Sequence, residues 1–242
     1  MTFHVLTIFP EFFAGPFAHG VVKRARDTGL LDIRIHDLRD WTSDRHRTVD
    51  DRPFGGAEGM VLKCEPIFLA AESIWSERPA GSRIVLLSAQ GTLFDQGVAN
   101  RLKDDAELML ICGRYEGVDE RVAEHLADEE LSIGNYVLSG GELAAAVVID
   151  TVARLLPGVL GNEASSAFES FQESGHGEGL LDCPQWTRPA EFRGWRVPEV
   201  LLGGNHKQIA AFRRSAARQK TERLRPDLLE KGTGTCLPGP GN

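Results

Sequence analysis

Leu110-Ile111-Cys112-Gly113-Arg114-Tyr115-Glu116-Gly117-Val118-Asp119-Glu120-Arg121 and Ser132-Ile133-Gly134-Asn135-Tyr136-Val137-Leu138-Ser139-Gly140-Gly141-Glu142 decide how this chain is read. Two short apolar runs, Leu108–Cys112 and Leu131–Ile133, each end at a glycine, pass through a polar turn and enter helix-forming sequence. Strands that stop at such loops hold ligands at their carboxyl ends in α/β sheets. Glycine lets backbone amides and carbonyls come close to the ligand. There is no G-x-x-x-x-G-K-[ST], and no G-x-G-x-x-G opens a helix after the first strand. A backbone-lined pocket without a phosphate cradle suits an adenosine-like ligand better than a dinucleotide or a triphosphate.

Outward from this stretch, strands and helices alternate. Phe3–Phe9, Leu31–His36 and Arg83–Ser88 read as further strands. Helices are expected over Phe12–Asp27, Pro66–Ser76, Val118–Leu126 and Glu142–Leu156, with another reaching Lys103 after Gly91–Asp95. Ser139-x-x-Glu142 has the form of a capping box. Residues 41–60 are polar and glycine-bearing, and read either as a surface loop or as a wall of the substrate site. This order predicts an α/β fold: a mostly parallel sheet with helices on both faces. Chain rules by themselves give an unknotted, doubly wound sheet.

The pattern breaks after Gly158. Gly, Ser and Glu dominate residues 161–179, which read as a flexible linker between a ligand-binding domain (1–160) and a small helical domain (180–231). Residues 232–242 read as a disordered Gly/Pro tail. Net charge is −8, which taken whole disfavours nucleic acid, but the distribution is uneven. Residues 104–130 hold ten acids and two bases, whereas residues 207–225 hold seven bases and one acid, Glu222. On a helical wheel Ile209, Phe212 and Ala216 share one face, with Lys207, Arg214 and Arg218 opposite. That pattern fits a solvated surface helix or an RNA-binding one. The longest aliphatic run, Ala144–Ile149, is too short to span a membrane. Four cysteines with no C-x-x-C pair support neither a disulfide framework nor a zinc site, so a cytoplasmic location is expected.

The quoted stretches, with Pro157-Gly158-Val159-Leu160-Gly161 and Gly179-Leu180-Leu181-Asp182-Cys183-Pro184-Gln185-Trp186-Thr187-Arg188-Pro189, closely resemble the bacterial tRNA (guanosine-37-N1)-methyltransferases of the SPOUT class. The resemblance runs from about residue 1 to about residue 229. It implies a trefoil-knotted parallel sheet whose loops hold S-adenosylmethionine, plus a small tRNA-binding domain. It also implies a homodimer with shared active sites, a tRNA substrate carrying guanosine at position 37, and a requirement for magnesium. No magnesium-ligand cluster can be read in the sequence.

Carried over position by position, the resemblance assigns the cofactor to Leu87, Ser88, Gln90 and Gly91, then to Gly113, Tyr115 and Glu116, and then to Ile133, Gly134, Tyr136, Leu138, Gly140 and Gly141. Ala89 replaces the proline usual in the first segment. Arg154 matches the arginine that faces the target guanosine, where a guanidinium can stabilise charge developing on O6. Its plain alternative is an arginine complementing a helix C-terminus. Glu169, in Phe168-Glu169-Ser170-Phe171, stands where the family carries its general base, usually aspartate. Its plain alternative is a solvated charge. Gln185 stands where histidine is common, and Asp182 and Arg188 are further substrate-side candidates. His206 could contact RNA or cap the following helix. Two other readings are a non-catalytic RNA-binding protein that keeps the pocket, and an oxidoreductase of the NAD type, which lacks its fingerprint.

Overall fold

The computed structural model describes residues 1–160, 169–172 and 179–231. The chain divides into two compact units, Met1–Gly161 and Asn162–Asn242. In the first unit, five parallel strands form one sheet: β1 (Thr2–Thr7), β2 (Asp32–Asp37), β5 (Ser82–Leu93), β6 (Glu107–Cys112) and β7 (Glu129–Ser132). Their order is β2-β1-β6-β5-β7. A separate two-residue pair, β3 (Asp50–Asp51) and β4 (Val61–Leu62), is antiparallel. The α/β reading of the sequence therefore holds.

The strand order follows from composition. Leu108 to Cys112 are fully buried on both faces, as expected of a central parallel strand, so β6 occupies the middle. β2, with alternating charged residues, takes an edge. Successive residues alternate between two cores. Phe3, Val5, Leu108 and Leu110 pack with α1 (Gly20–Asp27), α3 (Gln96–Leu102) and α5 (Glu142–Ala153). Leu6, Ile8, Met109 and Ile111 pack with α2 (Cys64–Ile74) and α4 (Glu120–His125). The single helix expected over Phe12–Asp27 is replaced by a 3-10 turn, Pro10–Ala14, and the separate α1. Gly15-Pro16 lies between them, and Pro16 has no backbone N–H with which to carry the helical hydrogen-bond ladder onward.

One polar cluster lies within the second core. His4, only 2% exposed, places Nδ1 3.0 Å from Nε2 of His36 and Nε2 3.3 Å from Oε2 of Glu107. Trp75 Nε1 donates to the same carboxylate at 2.8 Å. Burial, then the neighbouring His4, lowers the pKa of His36 to about 4, and burial also lowers that of His4. The His36 ring is therefore neutral in the folded chain at pH values where it binds a proton once unfolded, and the shift at His4 acts in the same sense. Unfolding takes up protons, and stability is lost as pH falls from about 6.5 toward 4. Thermal melts should show the midpoint falling across that window, and His36→Asn should reduce the fall. An equal fall in the variant would assign it to other groups.

In the second unit, Glu191–Phe192 and Trp195–Arg196 form an antiparallel hairpin that the sequence reading did not anticipate. Arg193 and Gly194 both have positive φ, 53° and 81°, as a tight two-residue hairpin turn requires. Helices follow at Glu199–Leu202, His206–Leu224 and Asp227–Lys231. Asn205, not His206, caps the long helix by accepting from the Gln208 amide. Ile209, Phe212 and Ala216 are half-buried while Lys207, Arg214 and Arg218 are exposed, the two faces that the helical wheel gives. The parts of the expected linker at 161–168 and 173–178, and the expected tail at 232–242, lie outside the described residues.

Candidate active site

An interruption within β5 and the loops that follow β6 and β7 come together around a cleft of about 250 Å³. The first wall is an interruption of β5. Leu87 and Thr92 both pair with Leu131 of β7, so Ser88–Gly91 leave the ladder and return. Ser88 holds this excursion by accepting from the Gln90 amide at 3.1 Å. At its end, a Cβ on Gly91 would lie 2.5 Å from the carbonyl carbon of Glu130 and the amide nitrogen of Leu131. Glycine is needed there because backbone meets backbone. Leu87, Ser88 and Gln90 line the cleft; Gly91 does not.

The second and third walls are zipped to one another. The Gly141 amide donates to the Gly113 carbonyl at 2.8 Å, and Arg114 bridges to Gly140. A Cβ on Gly141 would lie 2.8 Å from Cys112 Cα, and one on Gly140 would strike the Arg114 side chain. The expected capping box does not form. Gly141 is the N-cap of α5, without a side-chain cap bond. Glu142 turns inward instead and is 1% exposed. It accepts from Thr7 Oγ1 at 2.8 Å and from Arg114 Nε at 2.9 Å. Arg114 also donates to the Ser139 carbonyl at 3.1 Å and stacks 4.5 Å from the Phe9 ring centre. One guanidinium thus ties both loops to the start of α5. A buried carboxylate needs such partners, since leaving one unpaired costs about 3–5 kcal/mol. The sequence reading assigned Arg114 and Thr7 no role. Arg114 sits in the quoted motif, but nothing in the sequence pairs it with Glu142.

Gly113, Tyr115, Glu116, Ile133, Gly134, Tyr136, Leu138, Gly140 and Gly141 all line this cleft. Tyr115 takes a positive φ of 59°, and burial, then the Asp50 carboxylate, raises its phenol pKa. Gly59 approaches Glu116 so closely that a Cβ would lie 2.5 Å from Oε1, and the Glu116 amide donates to the Met60 carbonyl at 3.0 Å. Part of residues 41–60 therefore packs against the second wall. Tyr136 folds back over Gly134, its hydroxyl donating to the Ile133 carbonyl at 3.0 Å.

The lining suits an adenosine-bearing sulfonium. Leu87, Ile133 and Leu138 offer apolar walls. Among the described residues that line it, Glu116, Glu120 and Glu130 outnumber one cation, Arg114, which favours a positively charged centre. Among the described residues, no three His, Cys, Asp or Glu side chains are grouped to hold a metal ion. None of the described helices is long and apolar enough to cross a membrane.

Arg154 is the half-buried C-cap residue of α5, its amide bonded to the Asp150 carbonyl at 3.2 Å. It belongs to the first unit and Glu169 to the second. Glu169 is half-buried and opens an anchored turn. The Phe171 amide donates to the Leu180 carbonyl at 2.9 Å, and Ser170 Oγ accepts from the Asp182 amide at 2.9 Å. Gln185 donates to the Asp182 carboxylate at 3.1 Å.

The family model described as tRNA (Guanine-1)-methyltransferase TrmD matches residues 1–231. The chain belongs to this family. A family relative from Koribacter versatilis (strain Ellin345), named tRNA (guanine-N(1)-)-methyltransferase, is 56% identical, the match covering 95% of this chain and 92% of that protein. Family proteins of the same name from Geobacter metallireducens and from Dehalococcoides mccartyi (strain 195) are 51% and 52% identical, each over 96% of this chain and 92% of the relative.

Proposed function

We propose that this chain transfers a methyl group from S-adenosylmethionine to N1 of guanosine 37 in tRNA. Family membership over residues 1–231 carries the reading. The cleft between the break in β5 and the paired glycine loops after β6 and β7 supports the choice of donor. S-adenosylmethionine, when bound, supplies an electrophilic methyl carbon. The loops orient the donor and exclude water from it. Glu169 accepts the N1 proton of guanine as general base. The Arg154 guanidinium stabilises the negative charge that proton removal places on O6. Magnesium enters as a requirement carried by the family, with no residue of this chain assigned to it. In the same reading, residues 1–160 bind the donor through a trefoil-knotted sheet, 161–179 link, and 180–231 bind tRNA, in a cytoplasmic homodimer.

Methyl transfer to tRNA transcripts with guanosine or adenosine at position 37 tests the reaction. Transfer to the first only is expected, and no transfer to either would overturn the reading. The shared site has its own test. Arg154→Ala and Glu169→Ala subunits, each inactive alone, should regain part of the native activity when mixed into heterodimers. Mixtures as inactive as their components would show that both residues serve the site from one subunit.

A further inference from the structure

The hairpin of the second unit presents aromatic side chains outward. Trp195 is 70% exposed and Phe192 is 55% exposed, with ring centres 6.2 Å apart and planes tilted by 49°. Apolar surface of this size at a turn adds nothing to the core. Cations surround it. The Arg193 guanidinium lies 5.2 Å from the Phe192 ring centre, and Arg196 pairs with Glu191 at 2.7 Å. From Trp186 to Arg214 the sequence has six Lys and Arg against two Glu, on a chain whose net charge is −8.

A second cleft of about 260 Å³ adjoins the hairpin, since Ala190 and Val197, bonded amide to carbonyl at 2.9 Å where the hairpin closes, both line it. Trp186, Arg188 and Arg213 line it as well. Arg188 and Arg213 form no ion pair among the described residues, so both guanidiniums remain available to an anion.

Open aromatic faces beside uncommitted guanidiniums match one ligand chemistry well: unpaired bases on a phosphate backbone. A duplex hides its base faces, so this surface selects a loop or a single-stranded end. We infer that the 191–196 hairpin and its adjoining cleft bind an unpaired stretch of the RNA substrate, one base stacking on Trp195 and Phe192 and a neighbouring phosphate meeting Arg188 and Arg213. This rests on the reading that the chain acts on tRNA, and adds where and by what contacts the second unit grips it.

The test uses the full chain and a fluorescently labelled tRNA transcript, with S-adenosylmethionine affinity measured in parallel by calorimetry. Trp195→Ala should weaken tRNA binding by about 10-fold and raise KM for tRNA, with donor affinity unchanged. Trp195→Phe should keep most of the affinity, because a stacking face remains. Arg188→Ala with Arg213→Ala should weaken binding and flatten its salt dependence. Arg193→Ala, at the exposed turn, should weaken binding in the same direction and gives a second measurement should Trp195→Ala melt early. Trp195→Ala and Arg193→Ala binding tRNA as tightly as the native chain would overturn the inference. So would a Trp195→Ala chain that changes only its oligomeric state by light scattering, which would make this face a contact between copies. A native chain that binds S-adenosylmethionine but no tRNA overturns the functional reading itself, and the site with it.

Discussion

Glu169→Gln should slow single-turnover methylation of a guanosine-37 tRNA by at least about 10²-fold while leaving donor affinity near native. Guanine N1 carries a proton that must leave as the methyl group arrives, and a neutral amide cannot take it. Glutamine keeps the length and shape of glutamate, so the loss isolates the basic oxygen. The turn at residues 169–172 is held by the Phe171 amide on Leu180 and by Ser170 on the Asp182 amide, and neither bond uses the Glu169 side chain. Glu169→Asp should remain active, because it restores the side chain usual in the family and keeps the carboxylate. Rapid-quench measurements with enzyme in excess over tRNA separate this step from product release. A near-native rate in Glu169→Gln would move the base elsewhere. Asp182 is the first alternative to substitute, and Glu173 and Glu178, outside the described residues, come next.

Gly141→Val should abolish measurable S-adenosylmethionine binding. Glycine there is a matter of space rather than backbone freedom, since φ at Gly141 is an ordinary −76°. A Cβ would lie 2.8 Å from Cys112 Cα and 3.1 Å from the Gly113 amide nitrogen, both backbone atoms that cannot swing aside. The whole 134–141 loop must therefore move off the 113–117 loop, breaking the bond from the Gly141 amide to Gly113 and pulling on the pair between Arg114 and Glu142. Overpacking of this kind costs about 1–3 kcal/mol, so the melting temperature should drop as well. Because the two loops form two walls of one cleft, the donor loses both. Calorimetry that finds native affinity in the variant would place the donor elsewhere. The close approach lies between the two loops, whereas the sequence alone points to the approach of a ligand.

The expected positions of the sheet strands were close, with ends shifted by up to five residues. Leu108–Cys112 and Leu131–Ile133 are apolar and bounded by glycine, and they became β6 and β7 because buried strands in a covered sheet need such runs. The helix expected over Phe12–Asp27 failed where Gly15-Pro16 overrides apolar spacing. The capping box at Ser139 failed for a different reason. Glu142 found stronger partners in Thr7 and Arg114, 135 and 28 residues away in sequence. Of the residues the resemblance assigned to the donor, the structure gathers all but Gly91 around one cleft. It turns Gly91 to closing β5 back onto β7.

By itself the sequence determined the family, the alternation of strands and helices, and the two glycine loops, because local composition and motif order are written along the chain. Only the tertiary structure decided that β6 enters between β1 and β5, that Ser88–Gly91 leave the ladder to form a wall, and that Arg114 locks both loops through a buried glutamate. It alone brought two aromatic rings to a hairpin turn beside a cationic cleft. The strand order, the β5 wall and the Arg114 lock are contacts between residues distant in sequence or choices among competing partners, settled by which burial and which hydrogen bonds the complete fold can satisfy together.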